Sequence, residues 1–232
     1  IKHIIVTHIH LDHAGGVGLF LNSCPNAKVY VHPRGKRHLA DPSKLIQSAK
    51  LVYGEKFDEL FDPILPVPED RLVAMEDGGA LNIGERTLTF YDSPGHAKHH
   101  FSIHDSLSNG MFTGDTIGVL YTQTRPDGLE FVLPSTSPNQ FDPDAMLESL
   151  KRIEKMNVDY IYFGHFGKSD KPDEVYGQIR HWLPKFVSSG EKVLKEFSDS
   201  SLEIKVEILS KILDEMIGAY LEEKNITRTH EV

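Results

Sequence analysis

Cysteine is nearly absent: the 232-residue chain carries one, Cys24. An internal disulfide and a thiolate metal cluster are therefore excluded. Just before Pro25, Cys24 reads as a small buried residue, and its isolation fits the reducing cytoplasm, the localisation expected here. Long apolar runs are missing too; none approaches the roughly 20 residues that cross a bilayer. Positive charge is in deficit, with 25 Lys and Arg against 34 Asp and Glu and a net charge of −9. That balance argues against nucleic-acid and anionic-membrane partners and leaves a small-molecule substrate. No repeat or low-complexity tract occurs. An initiator methionine is also lacking: the chain starts at Ile1, already inside a strand expected over 1–7. A start upstream, with any targeting peptide there, is expected. What remains, 39% hydrophobic and 25% charged residues, is the composition of a soluble globular chain with a sizeable core.

Histidine, in contrast, is abundant: there are 13, and three fall within Thr7-His8-Ile9-His10-Leu11-Asp12-His13-Ala14-Gly15-Gly16. The preceding Ile4-Ile5-Val6-Thr7 prefers a strand. A strand alone cannot gather His8, His10, Asp12 and His13 on one face, because alternate residues point oppositely. A loop at the strand end can, and the two glycines let the backbone turn tightly into a helix expected over 14–22. Further strands are expected over 28–32, 72–75, 80–83, 86–92, 99–104, 111–113 and 160–163. Residues 33–61 read as helical, interrupted at Asp41-Pro42, where Asp41 can cap a new helix. Asp142-Pro143 opens another, with Met146, Leu147, Leu150, Ile153 and Met156 at core spacing. Residues 116–141 show no period and read as one long loop. After Pro172 helices are expected, with Pro184 as a kink or break. Ile204 to Leu221 forms an apolar stripe that packs on the domain or pairs two chains as a homodimer.

Three later residues share the grammar of the opening motif. His96 follows RTLTFYD, Asp115 follows MFT, and His165 follows YIYF. Each sits past an apolar strand and beside a glycine, Gly95, Gly114 or Gly164, which permits close backbone approach. Seven nitrogen and oxygen ligands without cysteine suit zinc first, with iron or manganese as alternatives. Seven are too many for one tetrahedral ion and right for two ions sharing a carboxylate.

With its H-x-H-x-D-H, P-G-H, G-D-T and final G-H elements in order over residues 1–167, the chain resembles the metallo-β-lactamase-fold superfamily of metal-dependent hydrolases, and glyoxalase-II-like members most. The resemblance implies an α/β (α+β) fold, a four-layer αββα sandwich with the site at one edge. It implies one metal on His8, His10 and His96, a second on Asp12, His13 and His165, and Asp115 bridging them. The strands that precede the H-x-H motif in the family are missing. The expected organisation is an N-terminally incomplete core over 1–171 and a C-terminal helical extension over 172–232.

The chemistry expected of such a pair is hydrolysis of a small ester, thioester or lactone. Two cations roughly 3.5–4 Å apart hold a bridging hydroxide and lower the pKa of water towards about 7. Asp12 and Asp115 are the expected catalytic carboxylates, Asp12 orienting the hydroxide. His99 and Tyr121 are expected to face substrate, His99 by strand alternation with His100 and Tyr121 from the long loop. Phe131 and Phe166 read as core or as an apolar substrate wall. His3, His32, His38, His104, His181 and His230 read as structural or solvated. The rivals are a di-iron redox protein on the same fold and a phosphodiesterase. His10 stands where flavin-linked di-iron members usually carry Glu, and His13 and His165 complete a second site that mononuclear-iron dioxygenases lack.

Overall fold

A computed structural model of the protein describes residues 1–137 and 139–226; His230 lies outside them. In chain order the elements are β1 (His3–Ile5), α1 (Leu11–Ala14), α2 (Val17–Leu21), β2 (Lys28–Val31), α3 (Pro33–Ala40), α4 (Ser43–Tyr53), α5 (Phe57–Phe61), β3 (Leu72–Ala74), β4 (Ala80–Ile83), β5 (Arg86–Asp92), β6 (Phe101–Asp105), β7 (Gly110–Gly114), β8 (Val119–Tyr121), β9 (Phe131–Leu133), α6 (Pro143–Glu154), β10 (Tyr160–Phe163), β11 (Lys168–Ser169), α7 (Pro172–Glu196) and α8 (Leu202–Glu223).

Side-chain alternation builds the layers. β1, β2 and β3 form a parallel sheet. Val29 and Val31 face one side with Leu72, against Ala14, Val17, Leu21 and Leu39 of the helices. Tyr30, between them, faces the other side with Ile5 and Val73 and meets Leu88, Phe90, Phe101 and Ile103 of the second sheet. This period of two is what a strand buried on both faces requires. The second sheet has the order β11-β10-β7-β6-β5-β4. Its outer face presents Met111 and Ile161 to Met146, Leu150 and Ile153 of α6 and Val175, Ile179 and Leu183 of α7. Helices, sheet, sheet, helices is the four-layer αββα arrangement.

The pairing also fixes where the site lies. β5 runs antiparallel to β6, β6 antiparallel to β7, and β7 parallel to β10. β5, β7 and β10 thus point the same way, and their C-terminal ends share one edge. The end of β1 is tied to that edge by the Phe101 N–H donating to the Thr7 carbonyl at 2.7 Å.

Several local expectations are met. Asp41 accepts from the Ser43 N–H at 3.1 Å and hydroxyl at 2.7 Å, starting α4. Asp142 accepts from the Ala145 N–H at 3.0 Å, with Pro143 in the first turn of α6. Others are corrected. The helix expected over 14–22 is two short helices, α1 and α2, and the strand expected over 1–7 forms its ladder only over His3–Ile5. Residues 116–141 are not one structureless loop: β8 and β9 pair as an antiparallel hairpin around a 3-10 turn, Thr122–Asp127. The strand expected from His99 begins at Phe101, so alternation does not send His99 and His100 to opposite faces, and both are buried. Pro184 neither breaks nor ends α7, which runs from Pro172 to Glu196. Trp182 and Leu183, the two residues just before it, are fully buried, and that packing outweighs one lost backbone bond.

The C-terminal helices cover the hairpin. Trp182 and Leu221 pack with Phe131 and Leu133, and Met216, Ile217 and Tyr220 join them. The stripe on α8 is used mainly at its C-terminal half, since Ile204 and Val206 remain exposed. No helix among the described residues is long and apolar enough to cross a membrane.

Candidate metal centre

The first cluster grows from the end of β1. Ile9 is fully buried in the helix-side core, so His8 and His10 on either side of it project the opposite way. His10 is the N-cap of α1, and the first turn of that helix then carries Asp12 and His13 round to the same space. The ring centroids of His8, His10 and His96 stand 4.7, 4.8 and 5.0 Å apart pairwise. The Nδ1 of His10 faces the Nε2 of His96 at 2.9 Å.

The second cluster shares an edge with the first. The Nε2 of His13 lies 3.3 Å from Asp12 Oδ2 and 3.5 Å from Asp115 Oδ1. The Nε2 of His165 lies 3.5 Å from Asp12 Oδ2 and 3.4 Å from Asp115 Oδ2. Asp115 Oδ2 is also 3.7 Å from His96 Nε2. The carboxylate of Asp115 therefore touches both groups. Three sets of ligand atoms fall within 4.8 Å: His8, His10 and His96; His8, His13 and Asp115; and Asp12, His13 and His165.

The surroundings orient these side chains. Thr7 Oγ1 meets His8 Nδ1 at 3.1 Å, leaving Nε2 of His8 aimed inward. His96 Nδ1 is held by the Ser135 carbonyl at 3.0 Å. Such outer contacts set the tautomer and leave the other nitrogen free. His100, fully buried, accepts the Asp115 N–H on Nε2 at 3.1 Å and reaches the Ser93 hydroxyl with Nδ1 at 2.9 Å. Ser135 Oγ donates to Asp115 Oδ2 at 3.3 Å. Thr116 donates to the Ser93 carbonyl at 2.7 Å and so fixes the loop before His96. His100 and Ser135 carried no sequence signal of this role; His100 was legible only as a neighbour of His96.

Two glycines make room. At Gly164 a Cβ would stand 2.5 Å from Asp115 Oδ1. At Gly114, with φ of 48°, a Cβ would meet His100 Nε2 at 2.5 Å.

The electrostatics fit cations. Burial, then the neighbouring imidazoles, pushes His8 well below the usual histidine value. Burial and His96 bring His10 down to about 4, and burial also lowers His96. These three rings are neutral at pH 7, with lone pairs to offer. Burial opposes a charge on His13, but Asp115 and Asp12 outweigh it and raise His13 to about 9. Burial works against Asp12 as well, yet His13 brings it down to about 2. Most tellingly, His8 Nε2, His13 Nε2 and Asp115 Oδ1 are buried with no hydrogen-bond partner. Buried polar atoms are rarely left so, and a bound ion or water is what commonly completes them. The donor set, imidazole and carboxylate with no thiolate, suits divalent zinc, iron or manganese.

The clusters form the floor of an open cleft of about 450 Å³, which His10, Asp12, His96, Asp115 and His165 line. His99 lines the same cleft. Its Nδ1 accepts the Ile9 N–H at 3.5 Å, and burial followed by His10 lowers it to about 3. Tyr121 is not among the lining residues: it lies on β8 with its ring 5.7 Å from Phe131, in the core shared with α7 and α8. Phe131 is core as well. Phe166 is 68% exposed beside His165, in the left-handed region at φ 66°.

A four-layer sandwich whose strand ends gather imidazoles and carboxylates around one cleft defines a metal-binding α/β fold. The model of the metallo-beta-lactamase superfamily matches residues 1–165, and the chain belongs to that family. It is 28% identical over 170 residues to the metallo-beta-lactamase fold-containing protein ST1585 of Sulfurisphaera tokodaii, covering 72% of this chain and 61% of that one. The crystal structure of ST1585 superposes with a TM-score of 0.66 at 27% identity, over 78% of this chain and 67% of that one. Human acyl-coenzyme A thioesterase MBLAC2 is 26% identical over 119 residues, 49% of this chain and 40% of its own length. A hydroxyacylglutathione hydrolase of Francisella tularensis subsp. novicida is 27% identical over 114 residues, 49% of this chain and 33% of its own. The match thus spans less than two thirds of the length of these curated relatives.

Proposed function

We propose that the protein is a dinuclear metallohydrolase that cleaves a small ester or thioester. The observation that carries this reading is the Asp115 carboxylate, buried between two groups of candidate ligands, with its Oδ1 and the Nε2 of His13 standing 3.5 Å apart and neither making a hydrogen bond. His8, His10 and His96 would hold one cation, Asp12, His13 and His165 the other, and Asp115 both. Zinc is the cation the donor set favours. When bound, such a pair supplies Lewis acidity towards a carbonyl oxygen and acidifies water at neutral pH.

The chain's own residues do the rest. Asp12, ionised and with 43% of its side chain exposed to the cleft, is placed to accept a hydrogen bond from the attacking water and to orient it. His99 accepts on Nδ1, so its proton sits on Nε2, the nitrogen left to donate to an oxygen in the cleft. His100 and Ser135 hold Asp115 in place from opposite ends, backbone N–H and Oδ2. Two relatives are named for hydrolysis of an acyl-coenzyme A and of a hydroxyacylglutathione. Those names support an acyl compound as the substrate class.

The test is a panel assay of protein loaded separately with zinc, iron and manganese. p-Nitrophenyl esters, lactones, acyl-coenzyme A, S-lactoylglutathione and bis-p-nitrophenyl phosphate are the substrates. Hydrolysis of esters or thioesters that a chelator abolishes is the expected result. Oxygen consumption by the iron-loaded protein with no hydrolysis of any member would overturn the reading.

A further inference from the structure

The cleft has two unlike walls above its ligand floor. One is polar and includes Ser135, Thr136 and Gln140. The other is a face of α4: Leu45, Ser48, Ala49, Val52 and Tyr53 all line the cleft. Their spacing, i, i+3, i+4, i+7 and i+8, is one stripe of a helix. Such a stripe normally turns inward and is covered. Here only its start is covered: Leu45 packs half-buried against the helix-side core, no residue of α4 is fully buried, and Val52 and Tyr53 are 59% and 41% exposed. Apolar surface left open to water costs free energy roughly in proportion to its area, so the exposed end of this face, at Val52 and Tyr53, is not explained by the packing of the fold.

The helix is nevertheless held firmly. Phe57 of α5 is buried, Phe61 lies 5.6 Å from it, and Tyr53 stacks edge-on against Phe61 at 4.9 Å. Lys50, on the far side, pairs with Asp58 at 3.3 Å and lies over the Phe57 ring at 5.0 Å. The stripe is a mainly apolar wall that opens onto the same cleft as His10, Asp115 and His165.

We infer that this wall is an acyl-chain subsite. The substrate lays an aliphatic acyl chain of several carbons along Leu45, Ala49 and Val52. Its scissile carbonyl then reaches the ligand floor, and its leaving group hydrogen-bonds the wall at Ser135 and Gln140. The inference rests on the proposed hydrolase reading for the orientation of the substrate, and on α4 alone for the chemistry of the chain. A fully buried methylene contributes about 0.8 kcal/mol, which is about fourfold in binding; a chain lying in an open cleft gains about half that, roughly twofold per methylene.

Two measurements separate this inference from the reading beneath it. In the first, neutral aliphatic alcohols from butanol to decanol are titrated into the metal-free protein, followed by methyl NMR of leucine and valine. Affinity that rises about twofold per methylene, with the Leu45 and Val52 signals moving most, is expected. In the second, zinc-loaded protein is assayed on p-nitrophenyl acetate, butyrate, hexanoate and octanoate. kcat/KM should rise along the series, and Val52→Asp should flatten the octanoate-to-acetate ratio. Leu51→Asp, on the same helix away from the cleft, should not alter that ratio. Alcohol binding in a protein that hydrolyses nothing would retain the subsite and discard the hydrolase. Equal turnover of all four esters, or alcohol shifts away from α4, would overturn the subsite while the hydrolase stands.

Discussion

Gly164→Ala places one methyl group against Asp115, the proposed shared ligand, without removing any candidate ligand. The new Cβ would stand 2.5 Å from Asp115 Oδ1, 3.0 Å from His13 Cε1 and 3.2 Å from the Gly114 carbonyl carbon. Ordinary contact begins at 3.4 Å, so the carboxylate must retreat by about 0.9 Å, the difference between 3.4 and 2.5. It has little freedom to do so. Its N–H is bonded to His100, its Oδ2 is bonded to Ser135, and the residue is 3% exposed. Overpacking of this size costs about 1–3 kcal/mol of stability, a few degrees in Tm for a chain of this length. A ligand displaced by about 1 Å costs on the order of a hundredfold in turnover and roughly 10–100-fold in metal affinity, as loss of an outer-shell contact does. Competition with a chromophoric chelator measures the affinity, and kcat/KM on a short ester measures the turnover. Gly177→Ala is the control, because a Cβ there meets nothing within 4 Å. Wild-type affinity for both ions in Gly164→Ala would refute the placement of Asp115 between them.

Three further outcomes are expected. Zinc at about a thousandfold its dissociation constant should add about 4 kcal/mol to the wild type, roughly 8–16 °C in Tm, and Asp115→Ala should lose that rise in a thermal melt; an unchanged rise would contradict the shared-ligand role. Asp105 lies below the usual carboxylate range, because the Ser108 hydroxyl, the Leu107 N–H and Arg86 outweigh the opposing effect of burial. Its folded pKa being the lower one, its contribution is full above the unfolded value of about 3.9 and is lost as pH falls through the folded value. Asp105→Asn should cost about 1–3 kcal/mol at pH 7 in urea unfolding, with a gap from wild type that narrows as pH falls; a constant gap down to pH 3 would contradict it. Trp182→Ala should cost about 3–5 kcal/mol, lowering Tm by roughly 6–20 °C, since the ring joins α7 to Phe131 and Tyr220.

What could be read from the sequence follows from range. His8, His10, Asp12 and His13 lie within six residues, and one local strand-to-helix turn is enough to bring them together. His96, Asp115 and His165 were legible because each ends an apolar strand beside a glycine, and parallel alignment of β5, β7 and β10 brings such ends to one edge. The hairpin of β8 and β9 was not legible. Its strands are three residues each, too short to show a period, and their partners, Trp182 and Leu221, lie some 50 to 90 residues away. Tyr121 was misread for the same reason, as a loop residue near the site and not as core. Pro184 was expected to kink or break the helix; the break does not occur, because the burial of Trp182 and Leu183 is invisible to local backbone chemistry. The wall formed by α4 follows a helical stripe, but only the fold shows that the stripe faces the cleft.

The central claim is that Asp115 joins two metal sites in one cleft. Elemental analysis of the chain saturated with zinc and freed of excess tests it most directly. Two zinc ions per wild-type chain, and none retained by Asp115→Ala, are predicted. A single ion in the wild type, or unchanged content in Asp115→Ala, would contradict the account.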